Sequence, residues 1–101
     1  MSTATANRVA SEIKAHIDSR GGPYSSWYVG IAKDPNDRLF NQHGVDKENG
    51  KWCYRILPTS AEAREIEAYF IDEVGTDGGP GGGDDDTRSV YAYRKTSGTR
   101  P

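Results

Sequence analysis

The sequence predicts one α+β domain in which helices alternate with three short strands, and three observations carry that prediction. Val9, Ile13 and Ile17 recur every four residues near the start, the spacing of one helix face. The runs 24–32, 51–57 and 89–95 are rich in aromatic and β-branched residues, as strands are. Between them stand two helix-start signals, Asp34-Pro35 and Thr59 with Glu62.

The elements follow in order. Residues 2–19 read as a helix stopped by Gly21-Gly22. Residues 24–32 alternate Trp27, Val29 and Ile31 against Tyr28, Gly30 and Ala32, the two-residue period of a strand. Asp34 can then cap free amides, Pro35 suits a first helical turn, and a short helix carries Arg38, Leu39 and Phe40 to about His43-Gly44. A polar loop leads to a strand at 51–57, which Pro58 ends. Thr59 and Glu62 open a third helix that runs to about Val74. Residues 75–86 hold six glycines, one proline and four aspartates, too little apolar matter to pack, so a long loop is expected there. The strand 89–95 follows, and residues 96–101 are expected to form a flexible tail.

At 101 residues the chain has room for one modest core. Ten percent aromatic residues argue against wholesale disorder. There is no apolar run of the roughly 18 residues a membrane span requires, and residues 1–8 lack the features of a secretory signal. Cys53 is the single cysteine, so no internal disulfide forms and a cytoplasmic location is the expectation. A formal net charge of −2 does not mark a protein that coats nucleic acid. Asp84, Asp85 and Asp86 account for part of it, and without them the charge is +1.

One residue sits in the wrong place. At about 100° per residue, Ala63, Ile66, Phe70, Ile71 and Val74 form one apolar stripe on the third helix. Glu67 falls in the middle of it, while Glu62, Glu65, Asp72 and Glu73 lie where charge belongs. A carboxylate facing a core needs a partner, because an unpaired buried charge is costly or shifts its pKa. An ion pair with Arg38 or Arg55, tyrosine hydroxyls, or a divalent cation would each serve, or the side chain can snorkel out at the sheet edge.

Other features carry less. Gly78 to Gly83 lacks the lysine-serine or lysine-threonine ending of a phosphate loop and follows a helix. The aspartate run lacks the alternating ligands of a calcium loop. His16 shares a face with Ile13 and Ile17 and reads as a packed histidine. Cys53 with two distant histidines makes neither a zinc site nor a persuasive nucleophile. Trp27 and Trp52 can stack bases but read first as packing residues.

Three segments together resemble the GIY-YIG nuclease superfamily. Residues 27–42 read Trp-Tyr-Val-Gly-Ile-Ala-Lys-Asp-Pro-Asn-Asp-Arg-Leu-Phe-Asn-Gln, similar to that family's second signature, with Arg38 ten positions after Tyr28. The helix around Glu67 is similar to the one bearing the family's metal-binding glutamate. The order of strand, arginine helix, strand and glutamate helix covers residues 24–74. The resemblance implies a small antiparallel sheet of about three strands flanked by helices. It implies Mg²⁺ or Mn²⁺ at Glu67, Arg38 facing a phosphate, and Tyr28 assisting the water that attacks the phosphodiester of DNA. His43 is a further catalytic candidate.

The sequence departs from the pattern in three ways. No Gly-Ile-Tyr strand precedes residue 24. The position four after Arg38 is Gln42, with His43 one later, rotated by about a third of a turn if the helix is α. No asparagine follows the glutamate helix. Two functions are therefore open: metal-dependent cleavage of DNA, or a degenerate domain that binds nucleic acid or a protein partner without cutting. Strand 89–95 begins Ser-Val-Tyr, close to Gly-Ile-Tyr. Two strands alone would be marginal. This third strand is therefore expected beside 24–32 as a circular permutation, with Tyr91 projecting beside Tyr28; an edge position beyond 51–57 is the alternative.

Overall fold

The computed structural model describes residues 1–79 and 84–101. Helix α1 (Ala4–Arg20) is capped by Thr3, whose hydroxyl accepts from the Ala6 amide at 3.0 Å. Its stripe of Ala6, Val9, Ala10, Ile13 and Ile17 is buried. Gly21, at φ 84°, ends it in a backbone conformation that other residues resist. Helix α2 (Ser60–Tyr69) starts at Thr59, which accepts from the Glu62 amide at 3.2 Å and donates to the Glu62 carboxylate at 2.8 Å. The same carboxylate accepts from Thr3 at 2.7 Å, which ties the two helix starts together.

Strands β1 (Trp27–Ala32), β2 (Trp52–Ile56) and β3 (Ser89–Arg94) form one antiparallel sheet in the order β1-β3-β2. The last strand in the chain is therefore the central one, paired with both others, and the edge position considered for it does not occur. Tyr91 stands opposite Gly30 on one side and Tyr54 on the other. The outer edge of β1 is partly covered by the segment after α2. Asp77 donates its amide to Trp27 and accepts from Val29 in a parallel bridge.

Alternation gives the sheet two different faces. Trp27, Val29, Ile31, Cys53, Val90 and Ala92 pack with α1 and α2 in the main core. Trp27 is fully buried there, so it is a packing residue. Cys53 is buried as well, and burial pushes its thiol up to about 11, which leaves it unreactive. His16 meets Trp27 edge to face at 6.2 Å, in agreement with a packed histidine. The opposite face carries Tyr28, Ala32, Tyr91, Tyr93, Trp52 and Tyr54, closed by Leu39, Phe40 and Val45.

Three helical segments among the described residues depart from α geometry, and the first of them, the 3₁₀ turn Tyr24–Ser26, occupies residues expected to begin the strand that starts at Trp27. Residues Asp37–Gln42 and Phe70–Val74 are π-helical turns. Asp34 caps the Asp37–Gln42 turn, accepting from the Asp37 amide at 3.1 Å. Among the described residues no helix is long and apolar enough to cross a membrane.

Candidate functional site

The second sheet face gathers most of the residues the sequence singled out. The Tyr28 and Tyr91 rings lie nearly parallel at 6.3 Å, and Tyr93 stacks on Tyr28 at 5.2 Å. Gly30 explains how the pair fits. A Cβ at that position would stand 2.5 Å from the Tyr91 hydroxyl and 2.6 Å from Cζ, so the ring lies across the bare glycine. The glycine of Tyr28-Val29-Gly30 is thus a seat for a tyrosine two strands away in sequence but adjacent in space.

His43 sits on top of this cluster because of the π-turn. An α-helix would carry residue 43 round the axis, away from Arg38. In the wider turn the His43 amide bonds the Arg38 carbonyl at 2.9 Å, five residues back, and the two side chains share a face. The imidazole Nε2 lies 2.7 Å from the Tyr91 hydroxyl. Its Nδ1 lies 2.7 Å from the Arg100 carbonyl oxygen and 3.0 Å from the Tyr93 hydroxyl. Tyr93 was not among the residues singled out from the sequence. The two-residue period of its strand was the available signal, since it places 91 and 93 on one face.

Electrostatics connect these groups to Arg38 and Glu67. Burial raises the Tyr91 pKa well above the ordinary tyrosine range; the Arg38 guanidinium opposes this, and the Glu67 carboxylate adds to it. Burial also raises Tyr28, with the Gly79 amide opposing, Asp77 and Glu67 adding, and Arg38 opposing. Both phenols therefore keep their protons at neutral pH. His43 is held below its ordinary value, first by burial, so its imidazole is neutral there.

Glu67 is buried, at 8% exposure, as its place in the apolar stripe implied. Neither of the suggested ion pairs forms: Arg55 bonds Glu12 at 3.0 Å, and among the described residues Glu67 has no hydrogen bond or salt bridge. Burial raises its pKa, and the charge of Arg64 opposes this. Among the described residues no group of three or more His, Cys, Asp or Glu side chains could hold a metal by itself. A lone carboxylate nevertheless fits Mg²⁺ or Mn²⁺, hard ions that keep several waters and share one or two carboxylates with a substrate phosphate.

The loop after α2 borders the site. A Cβ at Gly79 would come within 2.7 Å of the Tyr28 hydroxyl, so the backbone passes directly over that oxygen. Residues 80–83 of the glycine-rich stretch, where a phosphate loop was considered, lie outside the described residues. Compared with protein-family models, curated proteins and solved structures, the chain matches none.

Proposed function

We propose that the chain is a divalent-metal-dependent phosphodiesterase of the GIY-YIG type that cleaves DNA. The observation that carries this reading is the cluster of Tyr28, Tyr91 and His43, on which the charges of Arg38 and of one buried carboxylate, Glu67, both act, and Glu67 has no hydrogen bond or salt bridge among the described residues. The five-residue step from Arg38 to His43 supports it too. In a π-turn that step does what four residues do in an α-helix, so the displaced histidine returns to the arginine's face. The antiparallel pairing of β1 with β3, which begins Ser89-Val90-Tyr91, supports a circularly permuted arrangement in which β3 stands for the first signature strand.

In this mechanism Arg38 binds the scissile phosphate and offsets the charge that grows on its oxygens. Half-buried Tyr28 positions the attacking water. The tyrosine pair takes the water's proton, and His43 Nε2 accepts the phenol proton of Tyr91. The water oxygen bonds phosphorus as the bond to the leaving oxygen breaks, and that oxygen departs with the bonding electron pair and takes a proton from solvent. Glu67 is the residue that would hold Mg²⁺ or Mn²⁺. The bound cation supplies Lewis-acid stabilisation of phosphate charge and lowers nearby phenol pKa values.

The test incubates the protein with single-stranded, nicked and branched DNA in Mn²⁺. Cleavage of at least one substrate is expected, with a loss of about 100-fold or more in Glu67→Gln, as for other transition-state charge stabilisers. Cleavage undiminished in Glu67→Gln contradicts the assignment. Binding of DNA or of a protein partner, with no cleavage in any condition, would establish the non-cutting alternative, which the net charge of −2 and the missing asparagine favour.

A further inference from the structure

Residues 96–100 have the polar composition of a loose tail, yet they meet the site at two points. A turn is built first: the Thr99 amide bonds the Thr96 carbonyl at 3.2 Å, and the Thr96 amide bonds the Thr99 hydroxyl at 2.9 Å. The chain then reaches His43. The Arg100 amide donates to the His43 carbonyl at 2.7 Å, and the Arg100 carbonyl lies 2.7 Å from His43 Nδ1. The Arg100 guanidinium adds a bond to the Asn41 carbonyl at 3.1 Å and lies over Gly44. Gly44 has φ +69°, and a Cβ there would stand 2.9 Å from the guanidinium.

A carbonyl oxygen can only accept, so the 2.7 Å contact requires a proton on Nδ1. In a neutral imidazole Nε2 is then the bare nitrogen, and it is the one that faces Tyr91. Tyr93, 3.0 Å from Nδ1, can take only a share of the same N–H. With the opposite tautomer Nε2 would carry the proton and could not accept from Tyr91.

We infer that the main-chain carbonyl of Arg100 is a positioning group. It holds His43 in the Nδ1–H tautomer and so reserves Nε2 as the proton acceptor for Tyr91. Its catalytic consequence rests on the phosphodiesterase reading, but the tautomer itself can be observed without any activity.

The experiment is a long-range ¹H–¹⁵N correlation spectrum of the histidine-labelled full chain at pH 7, without metal or DNA. His43 is identified as the signal absent from His43→Gln. An Nδ1–H pattern is expected, unchanged in Arg100→Ala, which keeps the carbonyl. A chain ending at Thr99 should instead show a mixture of tautomers while remaining folded by circular dichroism. Arg100→Pro, which removes the amide bond to His43, should move in the same direction and serves as the second variant if the shortened chain does not fold. An Nε2–H pattern in the full chain overturns the inference, as does an unchanged Nδ1–H pattern in folded chain ending at Thr99. If DNA is cleaved, the shortened chain should lose about 10–100-fold in kcat with KM retained, a part of the usual acid–base contribution. If no DNA is cleaved by any form, the phosphodiesterase reading fails while the spectra still decide the positioning role.

Discussion

Gly30→Ala is expected to lower stability by about 2–3 kcal/mol, a fall of about 10–20 °C in Tm for a domain of this size. The reason is local. The new Cβ would stand 2.5 Å from the Tyr91 hydroxyl and 2.6 Å from Cζ, atoms at the end of a rigid ring in a fully buried position. The ring cannot simply swing out, because it is enclosed by Tyr28 and His43, with the hydroxyl bonded to Nε2. Thermal unfolding measures the loss. A double variant with Tyr91→Leu, which shortens the opposing side chain, should recover part of the Tm, since contacting residues couple. If Gly30→Ala unfolds within a degree or two of the parent chain, the tyrosine does not lie across Gly30 as described.

Glu67→Gln is expected to do the opposite to stability and to remove activity. Burial raises the Glu67 pKa above its ordinary 4.5, so the ionised form is disfavoured in the folded state relative to the unfolded one. The sign follows from linkage. The penalty is absent at low pH, where the carboxyl is protonated in both states, and develops as pH rises through the ordinary and then the raised value. Glutamine carries no such penalty. At pH 7 the variant should therefore be more stable by about 1 kcal/mol, or about 4–8 °C in Tm, and the difference should vanish near pH 4. Melting curves at pH 4 and pH 7 provide the comparison. A lower Tm for Glu67→Gln at pH 7 would mean that the ionised carboxylate makes a stabilising bond, and the open metal-ligand role would be lost.

Much of this was legible in the sequence, because local signals carry it. Asp34 and Thr59 cap the helices they were expected to start. The strand periods separate Trp27 and Val29 from Tyr28 and Gly30 onto the two faces observed. The helical period identified Glu67 as buried from its position among Ala63, Ile66 and Phe70, but it set Glu62 at the exposed edge, where the structure buries it too, held by hydrogen bonds from Thr3 and Thr59. The placement of β3 at the sheet centre was less legible. Strand order depends on pairing between residues distant in sequence, and the Ser89-Val90-Tyr91 pattern supported β1 as a neighbour without revealing β2 as the other.

Two site features lay beyond pattern reading for physical reasons. His43 was placed by assuming 100° per residue, and a π-turn does not keep that period. Nothing in Asp37-Arg38-Leu39-Phe40-Asn41-Gln42 marks the wider turn, whose Leu39 packs among the tyrosines of the second sheet face. The role of Arg100 was hidden because it acts through its main chain. Side-chain composition reports whether a segment can bury apolar area, and residues 96–100 bury little. Their order comes from backbone bonds to His43 and from the Thr96–Thr99 turn, to which hydropathy is blind.

Whether Glu67 holds a divalent cation beside the tyrosine pair, as proposed, is decided by a metal titration followed by thermal unfolding. Mn²⁺ is added in steps at pH 7 to the parent chain and to Glu67→Gln. A cation bound only by the folded state raises Tm progressively, by an amount that grows with the logarithm of its concentration once the site is saturated. Such a rise is expected in the parent chain and not in Glu67→Gln. Equal rises in the two proteins, or none in either, would contradict the proposal.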